Sequence, residues 1–254
     1  MALGWESFLL VVGRMSGLFI STPVWSSRQI PAQVKIFFIL MFSALVSMVT
    51  PIDTTAALAG PGFFFLALGI EVFIGYAIGF VAYVVFAGIQ LAGQLMDMQM
   101  GFGLVNVIDP QSGTQVPLIG NFQFLVALMV FLAVNGHHLV LSAVHDSYKY
   151  VPILGANLDG NFFNFMMNMG GYMFVIGLKL AAPVVAALFL ADIALGFIAR
   201  TVPQMHVFII GLPMKIGIGL ALVMVTMPVF IWFISVLMER FFVYMEQLII
   251  ILGK

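Results

Sequence analysis

The 254-residue sequence contains no cysteine. A chain without thiols has no disulfide framework, no thiolate metal site and no cysteine nucleophile, which excludes zinc-thiolate, iron–sulfur and dithiol redox roles. Charge is almost as scarce. Nine Lys and Arg against ten Asp and Glu make up 7% of the residues, where soluble domains carry about 25%. The net charge of −1 leaves no basic surface to displace counterions from a phosphate backbone, so no nucleic acid is expected as a partner. The sequence also lacks a phosphate-binding Gly-Lys-Ser/Thr loop, a nucleophile-and-base constellation and any metal-ligand spacing. No enzyme, no cofactor and no metal site are expected. No Lys or Arg precedes the first apolar run, Phe8 to Val12, and no small-x-small site ends it, so the amino terminus reads as a mature structural segment.

What the chain has in abundance is apolar surface: 63% of its residues, with a mean hydropathy of +1.18. So much of it faces lipid or packed protein rather than water. Apolar segments fall at about Phe8 to Ile20, Ile36 to Val49, Gly62 to Ile89, Leu118 to Val144, Phe162 to Ala191 and Val207 to Leu237. A spanning helix needs roughly 17 to 25 residues, which the last four reach and the first two do not. Turn-rich stretches part them: Ser21 to Pro31, Thr50 to Pro61, Met100 to Pro117, His145 to Gly160 and Arg200 to Met205. Loop charges give no orientation, since Arg28, Lys35 and Arg200 on one side balance Lys149, Arg240 and Lys254 on the other.

Charges also stand within the apolar runs, at Arg14, Glu71, Lys179 and Lys215, with Asp192 closing another. A lone charge at the bilayer centre costs a few kcal/mol, so such groups face protein or water. Glu71 reads either as an intramembrane proton carrier or as an ion-paired structural residue, with Lys179 and Lys215 as available bases; the structural reading is preferred. Pro183, Pro213 and Pro228 interrupt apolar stretches, and Gly13/Gly17 and Gly75/Gly79 form G-x-x-x-G pairs that allow close backbone approach. Bent helices with small-residue faces suit a multi-subunit assembly.

The block Gln90 to Pro117 is the least hydrophobic part of the chain. It combines Gln90, Gln94, Asp97, Gln99, Asn106, Asp109, Gln111, Ser112, Thr114 and Gln115 with the pliable thioethers of Met96, Met98 and Met100. Two readings stand: a constriction in an aqueous path, or an extramembrane connection. His137, His138 and His145 read as hydrogen-bonded or interfacial side chains rather than as a metal site. Asp192 to Lys215 has the form of a hairpin, helix–Pro203–helix.

Two blocks carry a resemblance. They are Gly93-Gln-Leu-Met-Asp-Met-Gln-Met-Gly-Phe102 followed by Asp109-Pro-Gln-Ser-Gly113, and Asp192-Ile-Ala-Leu-Gly-Phe-Ile-Ala-Arg-Thr-Val-Pro-Gln-Met205 followed by Gly211-Leu-Pro-Met-Lys215. With Arg14, Pro23, Ile30-Pro31, Val34-Lys35, Glu71, Gly75, Gly79 and Asn135-Gly136-His137 they cover nearly the whole chain in order. The sequence resembles the FliR family of the bacterial flagellar export gate and, more distantly, the matching component of virulence type III secretion systems; His206 stands where that pattern has Asn.

The resemblance implies an all-α membrane-associated fold, one export-gate domain over 1–254 built of kinked helical hairpins. It joins a FliP-like part, about 1–170, to a FliQ-like hairpin, about 171–254, within a multi-subunit helical gate. The implied partners are FliP and FliQ, then FlhB and FlhA, membrane lipid, and unfolded flagellar export substrates. The implied place is the bacterial inner (cytoplasmic) membrane at the flagellar basal body. By the same resemblance a plug at the pore constriction would comprise Gly101, Phe102, Gly103, Asn106, Asp109, Pro110, Gln111, Ser112 and Gly113, to which the composition of the block adds Met96, Met98 and Met100. Arg14, Glu71, Lys179, Asp192, Arg200 and Lys215 would be buried structural charges. The rival reading is a small-molecule secondary transporter with Glu71, Lys179 and Lys215 around a midplane site; a purely structural scaffold is a third.

Overall fold

The computed structural model describes residues 5–27, 30–50, 60–103, 117–202 and 207–253. Among the described residues every regular element is a helix: α1 (Trp5–Ser21), α2 (Pro23–Ser26), α3 (Ala32–Val49), α4 (Pro61–Met100), α5 (Leu118–Ala133), α6 (Gly136–Tyr150), α7 (Gly160–Thr201) and α8 (Val207–Leu252). The all-α membrane-associated fold that the resemblance implies is the fold of the described residues. Four of these helices, α3, α4, α7 and α8, are long and apolar enough to cross a bilayer.

Element boundaries differ from the hydropathy reading in three places. α3 begins at Ala32, ahead of the apolar run Ile36 to Val49, and so reaches the 18 residues that this run lacks. The apolar run Leu118 to Val144, long enough for one span, is broken into α5 and α6, which meet at 66°. Asn135 sits at the break with φ 56°, a left-handed conformation that Asn tolerates better than most side chains, and Gly136 follows with the Phe131 ring where a Cβ would stand. Conversely, α4 does not stop where the hydropathy falls at Ile89 but continues through the polar residues to Met100. The interior prolines Pro183, Pro213 and Pro228 all lie within helices that run on past them.

The chain forms two compact units interleaved along the sequence, one of residues 1–85, 131–170 and 237–254, the other of residues 86–130 and 171–236. In the first unit α1 crosses the early part of α4 with almost no space between backbones. A Cβ on Gly17 would overlap the Val72 carbonyl oxygen, and one on Gly75 the carbonyl oxygen of Arg14. Gly79 lies against Ser21 and Thr22 in the same way. The two G-x-x-x-G pairs therefore face each other's helix, the small-residue contact that lets helices pack where lipid supplies no hydrophobic drive. Around this crossing lie Leu10, Met15, Leu18, Ile74 and Ile78, with Val144, Phe162, Phe241 and Leu248 from later elements, all fully buried or nearly so.

In the second unit the last turns of α4 pack on α5 and α7 through further glycines. Gly93 meets Gly120, and Gly88 and Gly177 accept Ile176 and Leu91 respectively. Phe86 sets its ring edge-on to Phe124.

The glycine crossing yields a direct test. Gly75→Ala or Gly17→Ala must push α1 and α4 apart and is expected to lower stability by about 1–3 kcal/mol or more. Gly69→Ala, in the same α4 helix but with open space around it, should be neutral or stabilising by up to about 1 kcal/mol. Thermal unfolding of the three variants in detergent checks the contrast.

Candidate functional site

Among the described residues of the first unit, Arg14 alone puts a full positive charge into the core, and its surroundings are built to receive it. Its exposure is 0%, as is that of Glu71. The Arg14 guanidinium donates from Nε to Glu71 Oε2 at 2.6 Å and from Nη2 to Glu71 Oε1 at 2.9 Å, a two-pronged pairing that fits the planar fork to the carboxylate. Nη1 donates to Ser147 Oγ at 2.7 Å and Nη2 also to the Val151 carbonyl at 3.1 Å. The guanidinium carbon lies 3.7 Å from the centroid of the Tyr148 ring, and Tyr148 Oη donates to Glu71 Oε2 at 3.2 Å. Four residues from α1, α4 and α6 thus satisfy one another with no solvent. Both carboxylate oxygens of Glu71 are engaged, as in an ion-paired structural residue.

Glu71 pairs with Arg14 rather than with Lys179 or Lys215, the bases named from sequence. Lys215 instead pairs with Asp192 at 2.8 Å, and Gln99 Nε2 donates to the same carboxylate at 2.9 Å. This ties α4, α7 and α8 together in the second unit. Lys179 is exposed and borders a cavity of about 300 Å³ with Met96, Gln123, Pro183 and Val223. Arg200 is exposed too, in the last turn of α7, where a cation favourably opposes the helix dipole. So neither Lys179 nor Arg200 is buried within this chain.

The Met-rich stretch ends α4 in a defined way. Gly101, with φ 93°, donates its N–H to the Met98 carbonyl and Phe102 donates to that of Asp97, the paired bonds of a glycine-terminated helix end. Met96 and Met100, one turn apart, are buried, Met100 lying against Gly219; Met98, on the opposite side, is 71% exposed. Gly103 is exposed, and Phe102 half-buried. Asn106, Asp109, Pro110, Gln111, Ser112 and Gly113 lie outside the described residues.

Asp97 does something composition did not disclose. Its carboxylate accepts from the backbone N–H groups of Ile119 and Gly120 at 3.1–3.2 Å, supplying acceptors to the otherwise unpaired amides that begin α5. The residues before and after the 104–116 segment are therefore fastened to each other. Tyr148, Ser147 and Gln123 were also not singled out from sequence. They are ordinary residues on apolar helices, and only the 57-residue separation closed by Arg14 and Glu71 reveals why the first two matter. Of the histidines, His145 Nδ1 shares a hydrogen bond with Thr50 Oγ1 at 2.8 Å.

Long apolar helices, backbones crossing at glycine, and charges gathered into a few internal ties define a helical membrane protein. Residues 5–241 match the family described as bacterial export proteins, family 1. The chain is 42% identical over 226 residues to the flagellar biosynthetic protein FliR of Bacillus subtilis, spanning 88% of this chain and 86% of that one. It is 30% identical over 239 residues to the protein of the same name in Escherichia coli, with 93% and 90% covered, and 26% identical over 246 residues to that of Aquifex aeolicus, with 96% and 93% covered. The chain belongs to the bacterial export proteins, family 1, the family of the flagellar FliR proteins.

The buried pair makes a double-substitution experiment decisive. Glu71→Gln leaves Arg14 without its counter-charge and is expected to cost about 3–5 kcal/mol, whereas replacing Arg14 and Glu71 together by Met should recover much of that loss. Unfolding temperatures of the single and double variants check this. A double variant no better than the single one would show that Ser147, Tyr148 and Val151 depend on the charges themselves.

Proposed function

We propose that the chain is a non-enzymatic core component of the flagellar type III export gate, building with FliP and FliQ the pore for unfolded flagellar subunits. The observation that carries the reading is family membership along nearly the whole chain, shared with relatives named as flagellar biosynthetic proteins. Association with FlhB and FlhA, and a place in the inner membrane at the flagellar basal body, belong to the same reading. So does a division into a FliP-like part, about 1–170, and a FliQ-like hairpin, about 171–254.

Helix length supports an assembly. α4, α7 and α8 have 40, 42 and 46 residues, about twice the ~20 that a bilayer covers. The hydropathic windows of α7 and α8 are only 28% and 22% buried within the chain. Apolar helix beyond the reach of lipid calls for protein neighbours. The rival solute transporter draws less support, because two of its three supposed site charges, Glu71 and Lys215, are already paired with Arg14 and Asp192.

The segment after Phe102 acts, in this reading, as the plug of the closed pore, with Met98, Gly101, Phe102 and Gly103 at its base and Asn106, Asp109, Pro110, Gln111, Ser112 and Gly113 within it. Thioethers and glycines form a soft seal that closes on itself and yields to a passing chain of any sequence. The fastening of Asp97 to the start of α5 gives such a segment a fixed base. Energy for transport comes from elsewhere in the apparatus.

Two measurements test the proposal. The chain should co-purify with FliP and FliQ as a stable complex; a lone monomer that moves a small solute in liposomes would overturn the gate reading in favour of the transporter. Deleting residues 106–113 should make the resting membrane leak ions by tenfold or more, and an assembled complex whose leak is unchanged would leave the scaffold reading instead.

A further inference from the structure

Within the second unit, the exposed face of α7 is organised by two cations. Lys179 and Arg200 stand about 31 Å apart along the helix at 1.5 Å per residue, close to the ~30 Å of a bilayer's hydrocarbon core. Between them the exposed side chains include Phe189, Leu190, Ile193 and Phe197. The single charge in this interval, Asp192, is neutralised by Lys215 and hydrogen-bonded by Gln99. An apolar face of bilayer length with a cation at each end is the arrangement that places those cations at the two headgroup levels.

At one of these levels there is more than a charge. Among the described residues nothing pairs with the Lys179 ammonium. Beside it opens the cavity of about 300 Å³ whose apolar wall includes Leu180, Pro183, Val223 and Phe230. Gln123 also lines it, with 3% exposure; its Nε2 reaches Met96 Sδ at 3.5 Å while its Oε1 has no partner. That oxygen is closed off from the cavity, which therefore offers a cation for an anionic group and an apolar wall for a hydrocarbon chain.

We propose that this groove binds an anionic phospholipid such as phosphatidylglycerol, its phosphate on Lys179 and one acyl chain along Leu180, Pro183, Val223 and Phe230. The proposal does not rest on the gate reading, since it concerns one unit of this chain and the bilayer.

Native mass spectrometry of the full-length chain, exchanged into detergent with phosphatidylglycerol or phosphatidylcholine, tests it. The wild type should retain phosphatidylglycerol at least tenfold better than phosphatidylcholine. Lys179→Gln should lose that preference and Lys179→Arg keep it. Val229→Trp, at an exposed position on the cavity rim, should reduce retention of phosphatidylglycerol without disturbing the fold. Lys149→Gln, at an exposed cation in the first unit, should change nothing. Equal retention of the two lipids by the wild type overturns the proposal, as does a loss shared equally by Lys149→Gln. Lipid retention unchanged in Lys179→Gln, with a co-purifying membrane subunit lost instead, would assign the groove to a protein helix and overturn it as well.

Discussion

The buried pairing of Arg14 with Glu71 is the constraint on which the first unit depends. Two full charges at zero exposure, in a chain with so few, are tolerable only because every oxygen and nearly every N–H of the pair finds a partner. Such a pair adds little net stability over a well-packed apolar substitute, since desolvation offsets much of the attraction. Its effect is on register. Arg14 reaches Glu71, Ser147 and Val151 together only when α1, α4 and α6 sit in one particular alignment. That alignment also places Gly17 on Val72 and Gly75 on Arg14's own carbonyl. Glycine permits the close crossing, and the ion pair selects which close crossing is made.

Two carboxylates of the second unit, Asp97 and Asp192, work on the same principle with weaker demands. Asp97 answers backbone amides at the start of α5, and Asp192 answers Lys215 and Gln99 while remaining partly exposed. In each case the charge is held by donors that a helix-rich chain has to satisfy anyway, the amides of a helix start or a lysine on a neighbouring helix. Each of these two carboxylates therefore joins α4 to a neighbouring helix.

Hydropathy and spacing made much of this legible. The glycine pairs at 13/17 and 75/79 announced a close crossing, and the charges inside apolar runs announced internal partners. The partners themselves were not readable. Arg14 and Glu71 are 57 residues apart, and nothing in a one-dimensional pattern prefers Arg14 over Lys179 or Lys215. The break at Asn135–Gly136 was hidden for a different reason: the flanking residues are apolar enough to mimic one span, and only a left-handed φ reveals the corner. α4 runs past the fall in hydropathy to Met100, where the turn-rich stretch begins, and Gln99 and Asp97 are polar there to serve α7 and α5. The 104–116 segment lies outside the described residues, so its role rests on family resemblance and on what brackets it.

What brackets it is informative. α4 ends at a glycine whose positive φ lets Gly101 and Phe102 close the last carbonyls, so the helix stops at a fixed residue rather than fraying. Four residues earlier, Asp97 holds the amides of Ile119 and Gly120, and Gly93 lies against Gly120. Both ends of the segment are thus fastened to one short stretch of α4 by contacts that involve none of residues 104–116. The packing of the end of α4 on the start of α5 is thus set by Gly93, Asp97, Ile119 and Gly120 themselves.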